Sequence, residues 1–301
     1  MSGKAKPQRP APPAGIVVVD KPTGLTSHDV VARCRRFFGT RKVGHAGTLD
    51  PDATGVLVVG IERATKLLGH LALTNKSYDA TIRLGAATSS DDAEGEIISG
   101  ASAANIDEAD LGAGIAALTG EIMQRPSAVS AIKIAGKRAH ERVREGESVE
   151  IPARPVTVHR FDILDSTANG EYLDVDVRVD CSSGTYIRAL ARDLGEALEV
   201  GGHLTALRRT RVGNFDLSVA RTLDELEGTP TLSVPLHDAV LASFPHRDIS
   251  AAEAAGLAHG KWLETVGNSG TVAAVDPDGT PIALLVESGR RAASVFLVDP
   301  Q

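Results

Sequence analysis

Polar and apolar positions alternate most regularly near residues 172–181, where Leu173, Val175, Val177, Val179 and Cys181 interleave with Asp174, Asp176, Arg178 and Asp180. A two-residue period predicts a strand with one buried and one wet face. Residues 156–164 read as a second strand, and Ala168-Asn169-Gly170 supplies the turn between the two. An antiparallel hairpin follows, which argues against a doubly wound parallel sheet. Short apolar runs predict buried strands at 16–19 and 56–59, and Ala80, Ile82 and Leu84 share a strand face with Tyr78. Helical spacing predicts a helix over 28–38, capped by Thr26 or Ser27, burying Val30, Val31, Cys34 and Phe38 and ended by Gly39. Further helices are expected over 62–73, 107–118, 136–145 and 184–198. Residues 86–105 show no period, and 222–245 read as a linker with short helical turns. From about Pro245 a small helix precedes three strands, with Asp276-Pro277-Asp278-Gly279 as a hairpin turn. The expected fold class is therefore α+β: a mixed, largely antiparallel sheet domain flanked by helices over 15–244, a small β-rich domain over 245–301, and a disordered basic tail over 1–14.

Composition narrows the class of protein. The 301 residues are 42% hydrophobic, enough for an ordinary packed core. No apolar run approaches the roughly 20 residues of a membrane helix, and no signal-peptide segment opens the chain, so a cytoplasmic protein without membrane contact is expected. Cys34 and Cys181 form neither a disulfide framework nor a zinc pattern, and both are expected to be reduced. The net charge of −7 argues against a nucleic-acid partner until its distribution is read. Residues 1–83 carry 13 Lys and Arg against 6 acids, residues 84–124 carry 8 acids and no base, and residues 222–301 carry 11 acids against 4 bases. Such segregation is expected where one face meets RNA and another repels it, although unselected surface variation produces the same pattern.

The densest chemical signal is residues 43–60, VGHAGTLDPDATGVLVVG. Gly44, Gly47, Gly55, Gly60 and Pro51 predict a tight loop around Asp50, held by the apolar run that follows. Taken alone, an Asp-Pro pair more often does no more than start a turn. The string is longer than a turn needs, and residues 44–55 resemble the G-H-x-G-x-L-D-P-x-A-[ST]-G signature of the TruB family of tRNA pseudouridine-55 synthases. Five more blocks resemble that family in its order: GIVVVDKPTG (15–24), KSYDATIRLG (76–85), QRPSAVSAIKIAGK (124–137), CSSGTYIRALARDLG (181–195) and LRRTRVGNF (207–215).

The resemblance implies isomerisation of a T-loop uridine of tRNA to pseudouridine, with no cofactor, no metal and no obligatory protein partner, by a monomer. It implies that Asp50 is the catalytic carboxylate and that Arg188 keeps it ionised. Tyr78 and Tyr186 would pack the target base, with Tyr78 also helping to remove the C5 proton. His45 would occupy the space left by the flipped base, Lys21 would buttress the active-site tyrosine, and Leu207 would line the pocket. By position, residues 245–301 resemble a PUA-type RNA-binding domain, without a specific motif. Residues 124–152, with Arg138, Arg142 and Arg144 on the expected helix, read as a basic lobe that closes over the RNA; a solvated, salt-bridged helix is the plainer reading.

The chemistry agrees with what the sequence lacks, since it holds no Gly-rich phosphate fingerprint, no Cys/His cluster with metal spacing and no nucleophile elbow. Three other readings stay open. A glycoside hydrolase also attacks C1′, but it needs a second carboxylate, for which Asp52 would have to serve. An RNA-binding or tRNA-folding module would survive the loss of Asp50. A guide-RNA-dependent relative shares the aspartate loop but depends on partner proteins for what residues 124–152 supply here.

Overall fold

The alternation at 172–181 becomes the strand Tyr172–Cys181, whose Val175, Val177 and Val179 are fully buried. In the computed structural model, which describes residues 12–127, 133–134, 137–138 and 151–300, this strand pairs antiparallel with Arg154–Asn169 on one side and Lys76–Leu84 on the other. Lys76–Leu84 in turn pairs antiparallel with Gly202–Val212, and Arg154–Asn169 with Gly120–Gln124. The register sets Asp174, Asp176, Arg178 and Asp180 opposite Arg83, Thr81, Asp79 and Ser77, and each pair is hydrogen-bonded. The wet face is thus laced by cross-strand polar pairs, which favour this register over its neighbours. The dry face packs on the helix Ile187–Ala197, where Ile187, Leu190, Ala191 and Leu194 share one core with Tyr78, Ile82, Leu84 and Val177.

These elements, together with Asp52–Gly55, make up one of two compact units. Thr54 and Gly55 run parallel to Arg208 and Arg209 in this unit, so its sheet is mixed but mainly antiparallel. Gly55 has φ +98°, and a Cβ there would lie 2.2 Å from the Arg209 carbonyl oxygen. Only glycine fits. Gly55→Ala is expected to cost about 2–4 kcal/mol through left-handed strain and overpacking. A thermal midpoint unchanged by the substitution would refute so close an approach.

The other unit comprises Met1–Pro51, Val56–Ala72 and Gly213–Gln301. Its strand Gly15–Lys21 neighbours Val234–Pro235 and Thr54–Ile61, and Val43–Ala46 pairs antiparallel with Thr54–Ile61. The helix Ser27–Phe38 starts on a Thr26/Asp29 capping box and stops at left-handed Gly39. It buries Val30, Val31, Cys34 and Phe38 against Val17, Val19, Leu57 and Val59. The same unit holds a five-stranded sheet in the order His246–Asp248, Thr271–Val275, Pro281–Ser288, Arg291–Leu297, Leu263–Glu264, with its own small core under the helix Ala251–Ala258. The fold class is α+β, as the alternation implies.

Several expected elements are corrected. Residues 62–73 form a 3-10 helix, Glu62–Leu67, followed by one α-turn, Leu68–Leu71. Glu62 has φ +53° and is held there by Thr40 and by Lys42 Nζ at 3.1 Å, so the chain turns too sharply for a regular helix. The helix expected from 184 begins at Ile187, because Gly184 has φ +85° and cannot lie in it. The stretch 222–245 is no linker: Leu223 and Leu226 of the helix Leu223–Gly228 join the core of Val17 and Leu57, and Val234–Pro235 pairs with Gly15 and Ile16. Lys137–Arg138 is a strand paired antiparallel with Lys133–Ile134, not the start of a helix. The rest of that expected helix, with Arg142 and Arg144, lies outside the described residues, as do residues 1–11 of the expected tail.

Both cysteines are free and buried, and burial pushes the Cys34 thiol up to about 12 and that of Cys181 to about 11. Neither is a thiolate at neutral pH. Among the described residues no helix is long and apolar enough to cross a membrane.

Candidate functional site

Asp50 lies in the irregular segment between Val43–Ala46 and Thr54–Ile61, and the residue on each side of it is anchored. Leu49 is buried, and its N–H donates to Ser27 Oγ at 2.9 Å while that hydroxyl donates back to Leu49 O at 3.1 Å. Pro51 O accepts from Gly24 N at 3.0 Å and from Lys21 Nζ at 2.8 Å. The backbone on both sides of the half-buried carboxylate is therefore fixed by main-chain contacts that do not involve its side chain.

Lys21 is the anchor of this loop. It is 0% exposed, and its ammonium also donates to Pro22 O at 2.9 Å and Leu25 O at 2.7 Å. A buried ammonium needs such acceptors, and the three carbonyls need a donor. This clamp on the Asp50 loop is a task the sequence did not disclose, beyond a lysine ending an apolar run. Lys21→Met is expected to cost about 2–4 kcal/mol of stability, because buried carbonyls lose a charged partner. It should also lower turnover at least tenfold with a smaller change in substrate affinity. Denaturant unfolding and single-turnover rates test both, and wild-type values in either would count against the clamp. His45, on Val43–Ala46 opposite Val59, meets the His28 ring edge-to-face with centroids 5.5 Å apart.

In the other unit, Tyr78 stands opposite Arg209 and Val179, and Leu207 stands opposite Ala80. Cross-strand partners share a face, so Tyr78, Leu207 and Arg209 lie together, with Tyr78 and Leu207 packed on the core that Ile187 enters. Arg209 is 1% exposed, and Lys76, two residues before Tyr78, is also buried with Nζ donating to Thr74 O at 2.8 Å. Burial first, and then Arg209, hold the Lys76 ammonium down at about 8. These buried cations beside the tyrosine were not singled out from the sequence, although both fall in the matched blocks.

Tyr186 caps the helix Ile187–Ala197, and Arg188 sits in its first turn. Arg188 Nη1 lies 3.3 Å from Asp92 Oδ2 and donates to Ser90 O at 3.1 Å. One turn later, Arg192 Nη1 lies 3.2 Å from Asp91 Oδ2, and Asp91 has φ +62°. Two arginines on one helix face thus grip a tight loop at 90–92. Asp92 was invisible in the sequence, since it lies in an aperiodic stretch about a hundred residues from its partner.

The Asp79 and Thr81 side of the same sheet opens a cleft of about 540 Å³ lined also by Asp52, Asp165, Asp176 and Arg208. Four carboxylates against one guanidinium repel phosphate. Asp52, the second acid a glycosidase would need, is exposed there. Among the described residues no group of three or more His, Cys, Asp or Glu side chains is placed to hold a metal ion.

Comparison with known proteins places these residues in a family. Residues 35–187 match the TruB family pseudouridylate synthase N-terminal domain, residues 188–235 the tRNA pseudouridylate synthase B C-terminal domain, and residues 244–298 the tRNA pseudouridine synthase II C-terminal domain. A protein of Corynebacterium aurimucosum named tRNA pseudouridine synthase B is 64% identical over 95% of this chain and 97% of its own. One of the same name from Nocardia farcinica is 60% identical over 100% of this chain and 99% of its own. Among solved structures, a chain of an archaeal box H/ACA Nop10–Cbf5 complex aligns with TM-score 0.71 and 27% identity, covering 97% of this chain and 89% of that one. A chain of a Cbf5–Nop10–Gar1 complex gives 0.72 and 27%, over 95% and 85%. With the aspartate loop in its matched place and relatives of 60–64% identity along nearly its whole length, this chain belongs to the TruB family of pseudouridylate synthases.

Proposed function

We propose that this isomerase converts the uridine at position 55 of the tRNA T-loop to pseudouridine. The observation that carries the reading is the anchoring of Asp50 between Leu49 and Pro51, a carboxylate presented on fixed backbone inside the family signature. Pseudouridine formation breaks N1–C1′, turns the base and rejoins it through C5, so no atom enters or leaves the nucleotide except the exchanged C5 proton. Asp50 acts on the ribose, as nucleophile at C1′ or base at C2′, and Arg188 supplies positive charge for that chemistry. Tyr78 and Tyr186 pack the base, Leu207 lines its pocket, and Tyr78 assists loss of the C5 proton. Extruding the uridine costs a few kcal/mol, which His45 offsets by filling the vacated stack.

Arg138, Arg142 and Arg144 contribute to this reading as phosphate partners for the T-stem, and residues 245–301 as a PUA-like accessory. Replacing the three arginines by Ala is expected to weaken tRNA binding and flatten the slope of log K against log salt by up to about 3 units. A wild-type slope would remove them from the interface. The name of the relatives at 60–64% identity supports a tRNA substrate. The reaction is tested with unmodified tRNA carrying tritium at uridine C5: the purified chain should release about one equivalent into water and no free uracil. Free uracil would mean glycoside hydrolysis, and binding without tritium release would mean an RNA-binding module.

A further inference from the structure

Among the described residues four helices begin on local capping boxes, at Thr26/Asp29, Asp107/Asp110, Thr222/Glu225 and Ser250/Glu253. The helix carrying Arg188 does not: its N-cap, Tyr186, makes no side-chain cap hydrogen bond. Its cap comes from elsewhere in the chain. Gln124, 1% exposed and the last residue of Gly120–Gln124, accepts from Tyr186 N with Oε1 at 2.8 Å and donates Nε2 to Tyr186 O at 3.0 Å. The N–H that a capping-box side chain at the third helical position would satisfy is thus satisfied across 62 residues of sequence.

The same stem grips this helix start at two more points. Arg154, directly opposite Gln124 in the strand pair, donates Nη2 to Gly184 O at 2.8 Å and lays its guanidinium over the Tyr186 ring, 5.2 Å from the centroid. Arg192 donates Nη2 to Arg125 O at 2.7 Å, from the helix turn after Arg188. Gln124 and Arg154 are the two residues between which the chain leaves for the basic segment and returns. Where that segment leaves and re-enters the sheet is therefore where Tyr186 and the start of the helix carrying Arg188 are held.

We propose that Gln124 is a positioning residue for isomerisation: by capping the helix at Tyr186 from the stem of the 124–152 segment, it makes the placement of Tyr186 and Arg188 depend on how that stem is seated. A single amide performs two opposed tasks, acceptor to an N–H and donor to a C=O, which neither a methionine nor an ionised glutamate of the same length reproduces. RNA that loads the stem then tightens the helix start, and a loosened stem slackens it. The inference rests on the isomerase reading above and deepens it.

The test uses the full chain with unmodified tRNA and three variants. Gln124→Met keeps the shape and loses both hydrogen bonds, Gln124→Ala loses shape and bonds, and Gln124→Glu keeps only the acceptor for Tyr186 N. Single-turnover rates should fall about 10- to 100-fold in Gln124→Met and Gln124→Ala and less in Gln124→Glu, with the tRNA Kd within threefold of wild type throughout. Amide exchange across 184–192 should rise in the same order, and tRNA should slow it in wild type but not in Gln124→Met. A merely structural role would instead make the rates follow the thermal midpoints. Should Gln124→Ala fail to fold, Gln124→Met and Gln124→Glu decide. Rates within twofold of wild type, losses confined to Kd, or exchange at 184–192 unmoved by Gln124→Met would overturn the inference. An inactive wild-type chain would overturn the isomerase reading and this inference with it, whereas an active one with an unaffected Gln124→Met overturns this inference alone.

Discussion

Asp50→Asn is expected to abolish isomerisation, lowering turnover by more than about a hundredfold, or about 3 kcal/mol of barrier, while tRNA affinity stays within a few fold. The amide keeps the shape of the carboxylate and loses the charge the chemistry needs. The fold should not notice the change, because the loop is held through Leu49 and Pro51 by Ser27, Gly24 and Lys21. Loss of activity with an unchanged thermal midpoint is therefore the expected pair of results. Turnover above about one percent of wild type would exclude Asp50 as nucleophile or base.

Arg188→Lys is expected to lower turnover nearly as far, although it conserves the charge. The Arg188 side chain is 9% exposed, and its Nη1 meets Asp92 Oδ2 at 3.3 Å and Ser90 O at 3.1 Å. A planar guanidinium fixed by such contacts presents its remaining edge in a set direction, whereas an ammonium on a flexible stem is a point charge that settles on one acceptor. Asp92→Asn, which keeps an acceptor for Arg188 and removes only the charge behind it, should cost less, about tenfold. Near-normal turnover in Arg188→Lys would make Arg188 a generic cation, and an Asp92→Asn loss larger than that of Arg188→Lys would give Asp92 a role of its own.

What was legible in the sequence is what short-range chemistry controls. Glycine spacing and Asp50-Pro51 foretold a loop, Gly39 and Thr26 foretold both ends of a helix, and the Val175, Val177, Val179 alternation foretold the dry face of the sheet. What stayed hidden depends on partners distant in the chain. Asp92 meets Arg188, and Gln124 caps Tyr186, across separations at which residue spacing carries no signal. The clamp of Lys21 on Pro51 O was hidden in the same way, because nothing local shows that this carbonyl meets its ammonium. The helix errors have a common cause, since Glu62 and Gly184 lie at positive φ and an apolar period cannot register that. In the same way Leu223 and Leu226 sit in a run too short to read as core, yet they are buried against Val17 and Leu57.

The central claim is that the pinned carboxylate of Asp50 isomerises one uridine of tRNA without breaking the chain or freeing the base. The most direct measurement maps pseudouridine by primer extension, after carbodiimide derivatisation and alkaline treatment, in unmodified tRNA incubated with the purified chain alone. The account predicts a single new stop, at the T-loop uridine of position 55, present with wild type and absent with Asp50→Asn. A stop at another position, no stop with the wild-type chain, or the same stop with Asp50→Asn would contradict it.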